Sequence, residues 1–371
     1  MIYTPTLVAS SPEKFRAWSF SMVFADERYY LFCGVMDYKR EAHARTRCGF
    51  SVAVSEDGVH FTEVEPLACA VENAEPGFTH VHANGRFHYY ATISDPAIRD
   101  RTHVTRVYLS SNLRDWTPQS GWFSYDPEYY ACRWDELHVM SGKVDGRYVG
   151  YITSETKPEH QYASCGMVRS DDLIDWEALP PPIIDWGDLP PQIMELCFVE
   201  KIGDFYYMVM GGRGYMDQLG YGNYVFRARE PEGPFVPVAN SFRLSGTSTR
   251  DLNWIHKVVH GRDEKLVTSW FTPDWDRETE HGLMARGVKL WVLPLKKLAV
   301  NPSGELFLAY WPGNEAMKGE EIGGFASSVE PVFTGGSEDT GYFRAEFECL
   351  EDGVAMECGR NGMMAMAGKC S

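Results

Sequence analysis

The sequence predicts an all-β chain folded as a five-bladed β-propeller with a short C-terminal β extension. Three observations predict it. A hairpin of two apolar, aromatic-rich strands around a Gly- or Asp-containing turn occurs five times. Its copies keep a nearly constant spacing: Tyr29, Phe87, Tyr148, Phe205 and Leu266 lie 58, 61, 57 and 61 residues apart. Each of the early copies is followed by a second strand pair, and four short strands per repeat is the pattern of propeller blades, which must stack to bury their faces.

Taken in order, the first hairpin runs from Val23 to Phe32 and is completed by Ser51 to Phe61. The second, Val81 to Tyr90, is completed by Val107 to Trp116. The third, Val139 to Tyr151, turns on Asp145-Gly146 and is completed by Gly166 to Trp176. The fourth, Met194 to Met210, turns on Gly203-Asp204 and opens with a carboxylate, Glu195, just after the stiff Pro190-Pro191 corner. A buried strand rarely begins with an acid that has no partner or task. The fifth, Val258 to Leu266, turns at Gly261. The propeller is expected over residues 1–312. Residues 313–371 read as a Gly- and Glu-rich linker and a short β-rich tail, an incomplete sandwich-like piece. No stretch carries the 3.6-residue period of a long helix.

The formal net charge of −17 over 371 residues excludes the basic footprint that nucleic acid or an anionic membrane surface requires. No apolar run approaches the length of a membrane span. The start, Met1-Ile2-Tyr3-Thr4-Pro5, lacks a basic n-region and an apolar leader core. Nine cysteines without CxxC spacing read as reduced thiols rather than as disulfides or a zinc site. Together these point to a cytoplasmic protein with a small neutral ligand and call for no metal or cofactor. They leave the oligomeric state open.

Several segments carry a resemblance. Ser170-Asp171-Asp172-Leu173-Ile174-Asp175-Trp176, the Glu195-Leu196-Cys197 blade opening, Trp291-Val292-Leu293-Pro294-Leu295 and Ser303-Gly304-Glu305-Leu306 resemble glycoside hydrolase family 32, the β-fructosidases, kin to families 43 and 68. The likeness covers about residues 15 to 312 as blade rhythm. It implies a sugar substrate and three acids at the inner ends of first strands: an acid/base Glu followed by Cys, a stabilising Asp in Arg-Asp-Pro, and a nucleophilic Asp in Asn-Asp-Pro-Asn. Glu195 matches the first. In blade 3, Arg133-Trp134-Asp135-Glu136-Leu137-His138 stands where Arg-Asp-Pro is expected, and Asp135 and Glu136 compete for that role. In blade 1 the nucleophile is missing: Arg16-Ala17-Trp18-Ser19 places Trp18 or Ser19 there. Trp254-Ile255-His256 resembles the channel histidine segment of family 43, and His80 and His138 also fall on first strands.

Glycosidic cleavage needs one protonated acid at the leaving oxygen and one ionised carboxylate near the anomeric carbon. The expected donor is Glu195, with Asp135 or Glu136 as the second group. A gap of roughly 6.5–9.5 Å between two such carboxyls admits a water and favours inversion. Arg16, Trp18, Ser19, Arg133, Trp134, His138 and His256 are the expected substrate-binding residues, with Trp18, Trp134 and Tyr125 as candidates to stack on a sugar ring. Two other functions compete with hydrolysis. A carbohydrate-binding propeller without catalysis fits the missing blade-1 acid. An interaction propeller leaves the acids at the axis unexplained.

Overall fold

The computed structural model describes residues 15–39, 44–72, 74–93, 103–157, 164–192, 194–213, 215, 221–239, 242–246, 252–253, 256–272 and 291–317, with Thr6 and Ser10. The expected C-terminal β tail lies outside them, as does Trp254.

The described chain forms five blades, each from one contiguous stretch. Blade 1 holds β1 (Phe15–Ala25), β2 (Arg28–Lys39), β3 (Ala44–Ser55) and β4 (Thr62–Glu72). Blade 2 holds β5 (Ala74–Ala83), β6 (Arg86–Ile93), β7 (Val104–Ser110) and β8 (Thr117–Phe123). Blade 3 holds β9 (Tyr130–Val144), β10 (Arg147–Thr156), β11 (Cys165–Ser170) and β12 (Trp176–Leu179). Blade 4 holds β13 (Glu195–Ile202), β14 (Phe205–Arg213), β15 (Tyr221–Ala228) and β16 (Val236–Pro237), with β17 (Arg243–Gly246) also on β15. Blade 5 is broken in two. Its inner strands are β18 (Leu252–Asn253) with β19 (Lys257–His260), and β20 (Leu266–Thr268) with β21 (Trp270–Thr272). Its outer strands are β22 (Trp291–Val292), β23 (Lys296–Val300) and β24 (Leu306–Tyr310).

Local chemistry sets the blade geometry. The inner hairpins turn at left-handed positions: Asp26 and Glu27, Asn84 and Gly85, Asp145 and Gly146, and Gly203. Paired left-handed residues give the primed turn whose twist matches that of the strands. The next turn repeats a side-chain code in three blades. Ser55, Ser110 and Ser170 accept the amides of Gly58, Leu113 and Leu173 through Oγ, each at 2.9 Å. Asp57, Asn112 and Asp172 then accept two further amides each through Oδ1. These hydroxyls and Asx oxygens satisfy a tight turn that no ladder could reach.

Among the described residues the apolar core is divided into five clusters, one for every blade-to-blade seam. Phe50 and Tyr89 pack in the seam of blades 1 and 2, and Trp134 and Trp176 in that of 2 and 3. Met194 and Tyr151 meet between 3 and 4, Phe198 and Val258 between 4 and 5, and Phe20 and Trp270 between 5 and 1. The ring closes by parallel pairing of the first strands of blades 1 and 5, Met22 with Val259 and Val23 with His260. A 3₁₀ turn, Pro312–Met317, follows β24; the buried Asn314 donates through Nδ2 to the Leu295 carbonyl at 2.7 Å.

Candidate functional site

The inner strands β1, β5, β9, β13 and β19 follow one another around the axis, so residues early in each strand gather at one mouth. At that mouth β9 is irregular. Its pairing with β10 slips between Ser154 and Glu155 and again between Tyr151 and Thr153, leaving extra residues on β9. Arg133 (φ 41°) and Glu136 (φ 56°) take left-handed backbone there, a conformation that costs a non-glycine residue about 1–3 kcal/mol. Such bulges re-aim side chains. Here they bring Arg133, Asp135 and Glu136 to the same mouth as Glu195.

Arg133 is the centre of the group. Its Nε donates to Asp135 Oδ1 at 3.1 Å and Oδ2 at 3.2 Å, and its Nη2 donates to Glu195 Oε1 at 2.9 Å. The three side chains are 27%, 18% and 24% exposed, open enough to meet a ligand. Tyr221 on β15 donates its hydroxyl to Glu195 Oε2 at 3.2 Å. That reach depends on Gly211, which pairs with Glu195 across β13 and β14. A Cβ at Gly211 would stand 2.2 Å from the Tyr221 hydroxyl. Hydroxyls of blade 3 fix the start of β13: Ser164 accepts the Met194 amide at 2.7 Å, and Thr153 accepts that of Leu196 at 3.0 Å. Thr153 is also the partner of Asp135 across β10 and β9, so one residue helps place both acids.

Electrostatics separates the carboxyls. Burial raises Asp135 above the usual carboxylate range and the Glu195 charge adds to this, while Arg133 pulls it down. Burial pushes Glu136 up to about 7; Lys257 opposes, and Glu195 and Asp135 reinforce. Glu136 Oε2 is sealed from solvent and has no hydrogen-bond partner among the described residues. Burial works against the Arg133 charge, but the charges of Asp135 and Glu195 outweigh it and hold the guanidinium protonated. Burial and then the Glu195 charge keep the Tyr221 phenol protonated, so it remains a donor.

Other polar residues on and beside the inner strands bond to one another. Ser21 Oγ meets His80 Nδ1 at 2.7 Å. Glu200 is 1% exposed; it takes His138 Nε2 at 3.1 Å, Ser141 Oγ at 2.8 Å and Lys265 Nζ at 3.2 Å. His256 Nε2 lies 2.6 Å from Ser245 Oγ, which accepts from Asn223 Nδ2 at 3.1 Å; Asn223 Oδ1 in turn accepts from Cys197 Sγ.

These placements correct part of the expected binding set. Trp134 is 0% exposed in the seam of blades 2 and 3, its ring 5.2 Å from that of Tyr130, and Tyr125 is 5% exposed beside it. Neither ring has a free face for a sugar. His138 is buried with its Nε2 committed to Glu200 and the Val199 carbonyl, and His256 is buried against Ser245. Each ring is thus committed to a neighbouring strand. Ser19, 3% exposed, sits with Trp18 in a bulge opposite Gly34. The side chains of Arg16 and Trp18 lie outside the described ones. Sequence reasoning missed Tyr221, Thr153, Ser164 and Lys257. The Gly211-Gly212 pair inside a strand was the available signal for Tyr221, since strand glycines mark close approach.

Among the described residues no group of His, Cys, Asp and Glu has metal-binding geometry, and no helix is long and apolar enough to cross a membrane. The comparisons with known proteins speak to the fold. No family model matches the chain, and no curated protein matches it. A mutant of the Bombyx mori GH32 beta-fructofuranosidase in complex with sucrose is similar with a TM-score of 0.59 and 12% identity, over 86% of this chain and 71% of that one. Cellvibrio cellulosa alpha-L-arabinanase complexed with arabinohexaose is similar with a TM-score of 0.54 and 14% identity, over 80% and 96%. A thermostable family-43 glycoside hydrolase gives 0.52 and 16%, over 79% and 93%. The chain thus has the propeller fold of GH32 and GH43 glycoside hydrolases.

Proposed function

We propose that the protein is a glycoside hydrolase that cleaves a glycosidic bond in a small oligosaccharide, with Glu195 as general acid. The observation that carries this reading is the meeting of Asp135, Glu136 and Glu195 around Arg133 at one mouth of the axis. Glu195 is partly exposed at the mouth and held in position there by Arg133 and Tyr221, within reach of a leaving oxygen. Asp135, gripped by Arg133, is the second carboxylate. The sugars named for the similar structures, sucrose and arabinohexaose, support an oligosaccharide as ligand. With Trp18 or Ser19 rather than an acid at that point of β1, hydrolysis proceeds without a blade-1 nucleophile, by inversion or with a substrate group or an acid from elsewhere in its place. A screen of the purified protein against aryl glycosides and fructans tests the reading. Turnover that is lost in Glu195→Gln supports it.

The same missing acid favours a second reading, a propeller that binds a carbohydrate without cleaving it. Sugar binding with no turnover on any glycoside selects that reading and rejects the first.

A further inference from the structure

At the turn end of the inner hairpins, away from the mouth, lies a cavity of about 120 Å³ whose lining includes Gly142, Lys143, Glu200, Lys201, Tyr206 and Lys265. Its three lysines come from three blades: Lys143 from the end of β9, Lys201 from that of β13, and Lys265 from just before β20. Glu195 opens β13 and Lys201 stands near its close. At about 3.3 Å per residue the cavity and the mouth are roughly 20 Å apart.

A second irregularity in β9 shapes this end. Its pairing with β10 passes from Lys143–Tyr148 to Val139–Gly150, so Met140, Ser141 and Gly142 stand against Val149 alone. Such a bulge turns backbone groups out of the ladder, and the Ser141 amide donates to Glu200 Oε1 at 3.1 Å. Glu200, 1% exposed, is the carboxylate of the lining, and its bonds are already assigned. Oε1 also accepts from the Ser141 hydroxyl and lies 3.1 Å from His138 Nε2, while Lys265 Nζ stands 3.2 Å from Oε2. Lys143 and Lys201 make no ion pair among the described residues. Their ammonium groups lie over the rings of Tyr148 and Tyr206, 4.1 and 5.2 Å from the centroids. Three cations thus converge on one recess against a single satisfied carboxylate, in a chain of formal net charge −17. Like charges gathered this way repel, and a bound anion removes that cost. An apolar cavity of roughly 150 Å³ takes a benzene ring, so this smaller, polar one admits a tetrahedral oxyanion and not a whole sugar.

We propose that this cavity is a binding site for a phosphate group, separate from the mouth. Lysines act on such a group as point charges from several sides, and the rings of Tyr148 and Tyr206 hold two of them in place. The phosphate comes either as the free ion or as the ester group of a small molecule whose remainder extends into solvent. The site stands independently of the hydrolase reading.

Calorimetric titration of the full chain with inorganic phosphate at low ionic strength tests the proposal. One site per chain is expected. Lys143→Gln and Lys201→Gln should each weaken it about threefold to tenfold, the range for one charged contact at a partly screened site. The double variant Lys143→Glu with Lys201→Glu should abolish it. Both side chains are exposed, so the variants should keep the wild-type circular dichroism and melting midpoint. Phosphate should raise that midpoint in the wild type and not in the double variant. A sugar monophosphate in the same titration separates the two sources. Affinity equal to that of phosphate assigns the free ion and tighter binding assigns the ester, and either supports the site. Failure of both to bind the wild type overturns the proposal, as does unchanged affinity in the double variant. Phosphate binding that survives the lysine changes and disappears in Arg133→Met would place the anion at the mouth and overturn it too.

Discussion

Arg133 on β9 donates through Nη2 to Glu195 Oε1 at 2.9 Å, across the seam between blades 3 and 4. The contact joins two residues 62 positions apart in sequence, about one blade period. It makes Asp135 and Glu195 share one cation. Substituting Arg133→Met leaves Asp135 and Glu195 without that cation at a partly exposed site. Charged hydrogen bonds contribute about 1.5–3 kcal/mol each when buried; solvent screening here brings the expected loss to about 1–3 kcal/mol in total. Urea unfolding measures it. Sugar affinity, read by calorimetry, should fall in the same variant, and unchanged affinity would show that the clamp plays no part in the ligand site.

Gly211 makes room for Tyr221 to reach Glu195. In Gly211→Ala the added methyl meets the phenol oxygen, so the ring must move and the 3.2 Å contact is lost. Tyr221→Phe removes the same hydrogen bond without the clash. Both variants should lose a similar factor in kcat, about tenfold for one hydrogen bond of some 1.4 kcal/mol. A large defect in Gly211→Ala beside a normal Tyr221→Phe would mean that the glycine serves packing alone.

Trp134 tests the corrected role of the blade-3 tryptophan. Its ring is fully buried with Tyr125 and Tyr130 in the seam of blades 2 and 3. Trp134→Ala should cost about 3–5 kcal/mol of stability. At a temperature where the variant stays folded, sugar affinity should hold within a few-fold. Specific loss of affinity at full stability would restore the ring as a sugar platform.

Acid should loosen the axis before it touches the blades. Burial holds His260 and His256 at about 3, against ~6.5 in an unfolded chain. The unfolded state then binds more protons between those values, so stability is full above about pH 6.5 and falls as the pH drops toward 3. Glu200 acts further down. Burial alone would raise its carboxyl, but the hydrogen bond and charge of His138 and the Lys265 ammonium outweigh this and hold it at about 2. Its contribution is present above the unfolded value of about 4.3 and is lost as the pH falls through 2. Urea midpoints across pH 3 to 8 should decline below about pH 6.5, and less steeply in His260→Gln. A flat profile would contradict neutral buried rings.

The blades were readable because a propeller writes its period into the chain. Each hairpin needs apolar alternation and a left-handed turn, and Asn84-Gly85 and Asp145-Gly146 state both locally. Glu195 was readable for a related reason: an acid at the start of an apolar strand is out of place in a core. What lay beyond reach was side-chain aim. The bulges at Arg133 and Glu136 depend on pairing with β10, and no local residue announces them. Regular alternation would place Trp134 and Asp135 on opposite faces, but it cannot say which face is the seam. Tyr221 and Lys257 reach the site from β15 and β19, so only the closed ring reveals them.

The decisive chemical prediction concerns Glu195 itself. The Gln side chain in Glu195→Gln keeps the shape, its carbonyl oxygen accepting from Arg133 and its amide nitrogen donating to the Tyr221 hydroxyl, but it cannot give up an acid proton. A positioned general acid contributes about 10²–10⁴ in rate, so hydrolysis of substrates with poor leaving groups should fall by that factor. Aryl glycosides with strongly acidic phenols need little protonation as they depart, and their rates should fall far less. The variant should therefore steepen the dependence of rate on leaving-group pKa while binding the sugar nearly as well as the wild type. Asp135→Asn should behave differently, depressing both substrate types together, because the carboxylate near the anomeric carbon serves every substrate alike. Equal losses for both leaving-group classes in Glu195→Gln would remove the proton from Glu195 and pass the acid role to another group at the same mouth.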